Sequence, residues 1–387
     1  MQVYTGLDVF LRRPYAFLDK KRKIGLVINQ TSVTKNLEHA VDAFRKLSQL
    51  KLTALFSPEH GIWGDVQDEL SIPSYFDKDL GLMVYSLFGA ANKPTPEMLS
   101  DVDVLIYDIQ DVGSRYYTYI STLFYSMEAA AENNLPFLVL DRPNPINGIS
   151  VEGNILEPQF RSFVGIGSIP IRHGMTVGEL AAMFNKEYKI NANLMVVKME
   201  GWRRAMWFDD TGLVWVPPSP NMPTLNTATI YPGTCLLEGT NVSEGRGTTK
   251  PFEVIGAPWI NYTKLSENLN ARSLPGLLFR KTCFIPTFSK YAGKRCYGIQ
   301  VHVVNREICK PVEAGLHIID AIYKYHSEHF EWRKTQDGRY FFDLLMGSEK
   351  VRQKIEGQTP ISEIVESWRD ELLRFMSKRR EYLLYQD

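Results

Sequence analysis

The first 150 residues alternate between short apolar runs and stretches with helical spacing. Five runs rich in β-branched and aromatic residues are typical of strands: KIGLVIN, KLTALFS, LMVYSLFG, VDVLIYDIQ and LPFLVLD. Between the first two, AVDAFRKLSQL carries apolar residues at helical intervals. Strands that alternate with helices predict an α/β fold, whose mostly parallel sheet has helices on both faces.

One helix is predicted with particular clarity between the last two of these strands. Its apolar positions follow the i, i+3, i+4, i+7 and i+11 spacing of a stripe on one helix face: Ile120, Leu123, Phe124, Met127 and Ala131. This periodicity indicates packing against the sheet and not a cofactor site.

The pattern changes after residue 165. Thr176 and Glu179 have the spacing of a capping box, so a helix begins there. Residues 215–260 are rich in Pro, Gly, Asn and Thr, yet too apolar for a disordered linker, and they predict ordered loops that cross between two domains. Beyond them, CYGIQVHVVN predicts short strands. Two helices are expected to follow, the last opening at Thr359 with Pro360 at its first position.

Polar motifs follow the predicted strands. QTSV, SPEHG, DVGSRYYTY and RPNPING each begin where an apolar run ends. Because the carboxyl ends of parallel strands share one edge of a sheet, these motifs should line a ligand crevice there, with residues 217–250 as its roof. Glu59 and His60 are expected to face this crevice. The sequence has no GxGxxG after a strand and no GxxxxGK[ST], so no nucleotide is expected in it.

Composition and charge exclude several kinds of partner. Lys plus Arg and Asp plus Glu each number 44, so no strong overall field attracts nucleic acid or an anionic membrane. No apolar run approaches the roughly 20 residues of a membrane-spanning helix. The four cysteines lack metal-ligand spacing and are expected to be buried free thiols, although export of the protein would permit a Cys283–Cys296 disulfide.

Six motifs together resemble the bacterial exo-β-N-acetylmuramidase family, formerly a domain of unknown function, from about Thr5 to Tyr385. They are FSPEHGIWGDVQDE, IYDIQDVGSRYYTYISTL, LDRPNPINGISVEGNILEP, PIRHGMTVGELA, PSPNMPTLNTATIYPGTCLLEGTNVSEGRGTTKPFEVIGAPWI and LLMGSEKVRQKIEGQTPISEIVESWRDELLRF.

This resemblance implies a Rossmann-like N-terminal domain over residues 1–231, a smaller α+β domain over residues 232–387, and an active-site cleft between them. It implies release of N-acetylmuramic acid from the non-reducing end of peptide-free or muropeptide-derived peptidoglycan glycans, with no cofactor and no metal. Family members are usually exported. The chain shows no signal peptide, so an exported protein without its signal peptide is expected, with a cytoplasmic member as the alternative.

Glycoside hydrolysis needs an acid for the leaving oxygen and usually a second carboxyl group. Glu59 is the candidate acid, because apolar neighbours such as Phe56 and Trp63 favour a protonated carboxyl group. His60 is a candidate for binding the substrate or orienting a carboxyl group. Asp111, near enough in sequence to pair with Arg115, is the candidate second carboxylate. Further carboxylates for this role or for substrate binding are Asp108, Glu238 and Glu244. The 2-acetamido carbonyl of the substrate is another possible nucleophile, and the sequence leaves these routes open.

The lactyl carboxylate of muramic acid predicts an arginine partner, because a guanidinium matches a carboxylate in planar fork geometry. Arg115, Arg172 and Arg246 are the candidates. His173 lies beside Arg172 and is a further candidate for substrate binding. Sugar hydroxyl groups suit Asn221 and Asn241, and three aromatic side chains are candidates for stacking on the ring: Trp63, Tyr116 and Tyr117.

Two other classes of protein remain open from the sequence. A metal-dependent amide or ester hydrolase would use Glu59 and His60 as ligands, but adjacent side chains on an extended segment point to opposite faces. A non-catalytic glycan-binding protein would use the same crevice. Sensitivity to a chelator identifies the first class, and failure to cleave a chromogenic N-acetylmuramide identifies the second.

Overall fold

A computed structural model describes residues 2–67, 70 and 72–386. Its main feature is a seven-stranded sheet in the order β3-β4-β2-β1-β5-β6-β9, in which β3 alone runs antiparallel to its neighbour. The strands are β1 (Arg22–Ile28), β2 (Leu50–Ser57), β3 (Tyr75–Asp77), β4 (Leu82–Ser86), β5 (Val104–Asp108), β6 (Pro136–Leu140) and β9 (Asn193–Val197). The predicted α/β fold with a mostly parallel sheet is confirmed.

Helices cover both faces of this sheet. Successive residues of β5 alternate between two apolar cores: Leu105 and Tyr107 pack with one pair of helices, and Val104 and Ile106 with the other. The first pair is α3 (Tyr119–Glu132) and α4 (Val177–Glu187), and the second is α1 (Gly6–Arg12) and α2 (Ala40–Arg45). The predicted stripe on α3 lies in the first core, and the predicted capping box of Thr176 and Glu179 opens α4.

The crossover stretch contains more regular structure than the loops that its composition predicts. Residues 225–234 form α5 (Leu225–Thr234), which continues into a 3-10 helix (Cys235–Gly239). Helix α5 can pack closely on α7 (Pro311–His326) because a glycine of each helix meets the other's backbone. A Cβ atom on Gly233 would lie 1.8 Å from the Pro311 carbonyl oxygen. The expected division at Tyr231 falls within α5, and the two-domain division stays a prediction.

The rest of the chain combines an antiparallel sheet with helices. Its sheet has the order β10-β12-β11, and a two-stranded sheet, β7 (Glu152–Ile155) and β8 (Pro170–Arg172), lies earlier in the chain. The remaining elements are β10 (Val254–Ala257), α6 (Tyr262–Ala271), β11 (Leu277–Phe284), β12 (Cys296–Val303), α8 (Phe341–Met346), α9 (Lys350–Glu356), α10 (Ile361–Glu366) and α11 (Arg369–Arg379). The expectation of two helices here was wrong, since the described residues of this part form six helices, α6 to α11. The short helices were missed because they lack the long apolar stripe by which a helix is recognised in a sequence. Pro360 is the N-cap of α10, and Ile361 occupies the first helical position that was predicted for Pro360.

The C-terminal residues return to the carboxyl end of β6. The Tyr385 hydroxyl donates a 2.5 Å hydrogen bond to Asp141 Oδ2, and the Leu384 N–H donates to Glu179 Oε1. Burial raises the pKa of Asp141 to about 7, against the effect of the Tyr385 hydrogen bond.

The four cysteines are free thiols; Cys283 is exposed and the other three are buried.

Candidate active site

Glu59 lies two residues beyond the carboxyl end of β2, with only 8% of its surface exposed. The Thr118 hydroxyl donates a hydrogen bond of 2.7 Å to Glu59 Oε2. Thr118 directly precedes α3, in the loop that follows β5. Because β1 separates β2 from β5, this bond connects loops from two non-adjacent strands. It fixes one oxygen of the buried carboxyl group.

His60 turns the chain so that its side chain and that of Glu59 line the same cleft. Its backbone φ of 73° is in the left-handed region, and the Gly61 N–H donates to the Pro58 carbonyl oxygen. The expected extended segment was therefore wrong. His60 Nδ1 lies 2.8 Å from the Val66 carbonyl oxygen. Since a carbonyl only accepts, Nδ1 carries a proton, and Nε2 of the neutral ring is an acceptor.

These two residues belong to a cleft of about 250 Å³, here called the Glu59 cleft. Aromatic side chains form much of its wall: Phe88, Tyr116, Tyr117, Phe163, Tyr231, Phe252 and Phe341. The stretch expected to form the roof, residues 217–250, also contributes Ser219, Met222, Cys235, Glu238 and Arg246. The cleft thus lies between the loops that follow β2 and β5 and the crossover stretch, whereas the QTSV and RPNPING motifs, which were also expected to line it, do not.

Four side chains of alternating charge form a row that begins in the wall of the cleft with Glu238 and Arg246. Arg246 lies between two carboxylates: its Nη2 is 2.7 Å from Glu238 Oε1, and its Nε is 3.4 Å from Glu244 Oε1. Lys290 Nζ continues the row at 2.9 Å from Glu244 Oε2. Burial acts to raise the pKa of Glu244, but the cations Lys290 and Arg246 overcome it and hold this pKa below its usual value. The row therefore places an arginine at the cleft with its orientation fixed from two sides.

A second cavity, of about 520 Å³, adjoins the first and is here called the Lys290 cavity. Glu238 and Arg246 line both cavities. The other lining residues are Thr240, Asn241, Glu244, Ser289, Lys290, Tyr291, Glu331, Trp332 and Arg333. The predicted sugar ligand Asn241 thus faces the second cavity. Its side chain donates to the His329 carbonyl oxygen and accepts from the Glu331 N–H.

The three candidate aromatic residues differ in position. Tyr116 and Tyr117 line the Glu59 cleft, and both are buried. The Tyr116 hydroxyl donates to the Pro232 carbonyl oxygen. Burial raises the pKa of Tyr117, as do the carboxylates of Asp111 and Glu59. Trp63 is instead 49% exposed and lies against His39, 5.2 Å between ring centroids.

Asp108 and Arg172, two of the candidate substrate ligands, form internal ion pairs instead. Asp108 is fully buried and accepts two hydrogen bonds from Arg142, at 2.5 and 2.9 Å. Arg172 donates to Glu152 at 3.0 Å and to the Ile146 carbonyl oxygen at 2.6 Å. A polar residue after a strand has the same sequence signature in either role, so the sequence could not separate them.

Arg115 connects distant parts of the chain and does not form the expected pair with Asp111. Its guanidinium group donates four hydrogen bonds of 2.7 to 2.9 Å to backbone carbonyl oxygens. The acceptors are Asn154, Ile169, Leu345 and Met346. Burial lowers the pKa of Arg115 to about 9. The described contacts of Arg115 are therefore structural, and its contact with the substrate stays a prediction.

Asp111 and His173 are buried beside one another, and neither is among the described residues that line the Glu59 cleft. His173 Nε2 lies 3.7 Å from Asp111 Oδ2, which also accepts a 2.6 Å hydrogen bond from the Gly113 N–H. His173 Nδ1 accepts from the Met175 N–H, so the ring proton is on Nε2 and points towards the carboxylate. Glu238, one of the other candidate carboxylates, does line the Glu59 cleft.

The residues of the site differ in part from those that the sequence predicts. Asn221, a predicted sugar ligand, donates to Gln67 Oε1 at 3.0 Å, while its neighbours Ser219 and Met222 line the cleft. Thr118 lies within the DVGSRYYTY motif, but its bond to Glu59 depends on strand order. Lys290 lies in a loop of the antiparallel part, and no sequence signal connects it to Glu244.

Comparison with known proteins identifies the family. The family model described as "Exo-beta-N-acetylmuramidase NamZ, N-terminal" matches residues 24–226, and the corresponding C-terminal model matches residues 229–385. The chain belongs to the exo-β-N-acetylmuramidase NamZ family. It is 51% identical to peptidoglycan beta-N-acetylmuramidase NamZ of Bacillus subtilis (strain 168). The 384 aligned residues cover 99% of this chain and 92% of that protein. The predicted family and enzyme class, a glycosidase, are confirmed.

Two crystal structures share the fold. Both are DUF1343 family proteins from Bacteroides fragilis NCTC 9343. One has a TM-score of 0.91 and 38% identity, covering 100% of this chain and 99% of its own. The other has a TM-score of 0.78 and 31% identity, with both chains covered in full. The mostly parallel main sheet and the smaller C-terminal sheet are therefore features of the family fold.

Metal-ligating residues are not clustered in the described ranges 2–67, 70 and 72–386, where no group of three His, Cys, Asp or Glu side chains could hold an ion. Over the same ranges, no helix has both the length and the hydropathy of a membrane span.

Proposed function

We propose that the Glu59 cleft removes N-acetylmuramic acid from the non-reducing end of peptide-free peptidoglycan fragments. One observation carries this proposal: a buried carboxyl group, an arginine and a second carboxylate line a single cleft of about 250 Å³. Pockets for drug-sized ligands usually have roughly 300–1,000 Å³, so this volume suits one sugar ring. Membership of the family and likeness to a peptidoglycan β-N-acetylmuramidase support the same substrate class.

Glu59 is the general acid in this proposal. Protonation of the leaving oxygen requires a carboxyl group in a fixed orientation at the scissile bond. The Thr118 hydroxyl supplies that orientation through its bond to Oε2. His60, with Nε2 as an acceptor, lies beside Glu59 and binds a substrate hydroxyl group.

Glu238 is the second carboxylate in this proposal, in place of Asp111. It lines the same cleft as Glu59 and forms an ion pair with Arg246. A carboxylate across the sugar from the acid stabilises the positive charge that develops at the anomeric carbon. Asp111 is instead buried next to His173 and is not among the described residues that line the cleft.

Arg246 binds the lactyl carboxylate in this proposal. Of the three candidate arginines, Arg246 lines the cleft, whereas Arg115 and Arg172 donate to carbonyl oxygens and to Glu152. Glu238 and Glu244 fix the plane of its guanidinium group, and a planar fork matches a carboxylate. The amide that joins a stem peptide to the lactyl group carries no such charge. Peptide-free substrates are favoured for this reason.

The experiment compares two disaccharides that differ only in the order of their sugars. The purified protein is incubated with N-acetylmuramyl-N-acetylglucosamine or with N-acetylglucosaminyl-N-acetylmuramic acid, and the products are separated by mass. We expect cleavage of the first and not of the second. Cleavage of both at similar rates, or of neither, would contradict the proposal.

A further inference from the structure

We propose that the Lys290 cavity binds the aglycone, the sugars that follow the bond being cleaved. This inference rests on the proposed function, because it takes Glu59 as the residue beside that bond. It adds a location for the part of the glycan that the Glu59 cleft is too small to hold.

The two cavities are connected through shared walls. Glu238 and Arg246 line both of them. Arg333, in the wall of the Lys290 cavity, lies 5.2 Å from the ring centroid of Phe341, which lines the Glu59 cleft. A glycan whose terminal sugar occupies the Glu59 cleft can therefore continue into the Lys290 cavity. The second cavity has about twice the volume of the first, which suits a continuing chain.

The lining of the Lys290 cavity suits a neutral sugar. The rings of Tyr291 and Trp332 offer apolar surface for a pyranose face. The Tyr291 hydroxyl accepts from Trp259 Nε1 at 3.2 Å, which fixes the orientation of its ring. Hydroxyl groups can bond to exposed polar side chains of the lining such as Glu331 and Arg333.

The charges of this cavity argue against a strongly anionic ligand such as a stem peptide. Among the described residues that line it, three cations face three carboxylates: Arg246, Lys290 and Arg333, and Glu238, Glu244 and Glu331. An ammonium group has three donors, and Lys290 directs them to the Leu237 carbonyl oxygen, the Val242 carbonyl oxygen and Glu244, at 2.9 to 3.0 Å. Lys290 therefore holds the wall in place and has no donor left for a ligand.

Variants at the far side of the cavity test this assignment. Glu331→Ala and Arg333→Ala remove exposed side chains, so the protein should fold, as circular dichroism and thermal melting will show. Arg339→Ala is the matched control, because Arg339 is exposed on the same segment and pairs with Asp337 outside both cavities. Three substrates are compared: a nitrophenyl N-acetylmuramide, the disaccharide N-acetylmuramyl-N-acetylglucosamine, and the corresponding tetrasaccharide.

We expect KM for the disaccharide and tetrasaccharide to rise about fivefold in each of the two cavity variants, the effect of losing one hydrogen bond. KM for the nitrophenyl glycoside, which places no sugar in the cavity, should change much less. Equal increases for all three substrates would place the muramic acid itself in this cavity and overturn the inference. Unchanged KM values throughout would also overturn it. Failure of the wild-type protein to cleave any of the three would instead refute the proposed function.

Discussion

Thr118 and Glu59 lie 59 residues apart in sequence and are joined by a hydrogen bond of 2.7 Å. The donor stands at the start of α3 and the acceptor in the turn after β2. One oxygen of the proposed acid is thus fixed by an element that packs on the sheet. In the proposed mechanism the position of the acid depends on this contact, because a rotated carboxyl group would not reach the leaving oxygen.

Replacing Thr118 by valine keeps the shape of the side chain and removes the hydroxyl. We expect kcat to fall by about tenfold with little change in KM, since a misplaced catalytic group slows the reaction more than it weakens binding. Thr118→Ser is the control, because it restores the hydroxyl and should recover most of kcat. Full activity of Thr118→Val in steady-state assays would show that this bond does not orient Glu59.

Arg246→Lys tests recognition of the lactyl group. Lysine keeps the charge but loses the fork that binds a carboxylate through two donors. Hydrogen bonds to charged groups contribute about 1.5–3 kcal/mol, so kcat/KM for N-acetylmuramides should fall by about 10- to 100-fold. Activity on the matching N-acetylglucosaminide, which lacks the carboxylate, should fall less. A preference between the two that stays at the wild-type value would assign the lactyl contact elsewhere.

Arg115→Met tests the structural role of Arg115. The substitution leaves four buried carbonyl oxygens without their donor, and an unsatisfied buried group costs about 1–3 kcal/mol. We expect the free energy of unfolding to fall by about 3 kcal/mol or more in urea titrations. The folded fraction should keep the wild-type preference for N-acetylmuramides. Wild-type stability combined with a lost preference for N-acetylmuramides would show that Arg115 contacts the substrate.

The strands could be predicted from the sequence because burial on both faces leaves a continuous apolar run, as in β1 and β5. Glu59 could be selected as a candidate because a carboxyl and an imidazole side chain follow such a run. The partners of the polar residues were not identifiable. Arg115 and Arg246 both lie in polar motifs, yet one meets carbonyl oxygens and the other a cleft, and only the tertiary fold decides which.

Asp141 makes stability depend on pH. Burial raises its pKa to about 7 in the folded protein, whereas the ordinary value of an aspartate is about 3.9. Between these values the unfolded chain has lost the proton and the folded chain retains it. The folded state therefore binds more protons, and this group's contribution to stability falls as pH rises from about 4 to about 7.

Asp141→Asn removes the titrating group and keeps its shape. Unfolding in urea, measured at several values between pH 5 and pH 7.5, should show a smaller loss of stability with rising pH in the variant than in the wild type. The slope attributable to Asp141 approaches roughly 1.4 kcal/mol per pH unit within the window. Parallel pH profiles for the two proteins would show that Asp141 does not titrate there.

The central claim is that Glu59 donates the catalytic proton, and the rate of Glu59→Gln on the natural disaccharide tests it most directly. Glutamine keeps the shape of the side chain without the acid. General acid catalysis contributes about 10²- to 10⁴-fold, so kcat for N-acetylmuramyl-N-acetylglucosamine should fall by that order. Turnover of a nitrophenyl N-acetylmuramide should fall much less, because its leaving group needs little protonation. Full activity of a correctly folded Glu59→Gln protein on the disaccharide would contradict the account.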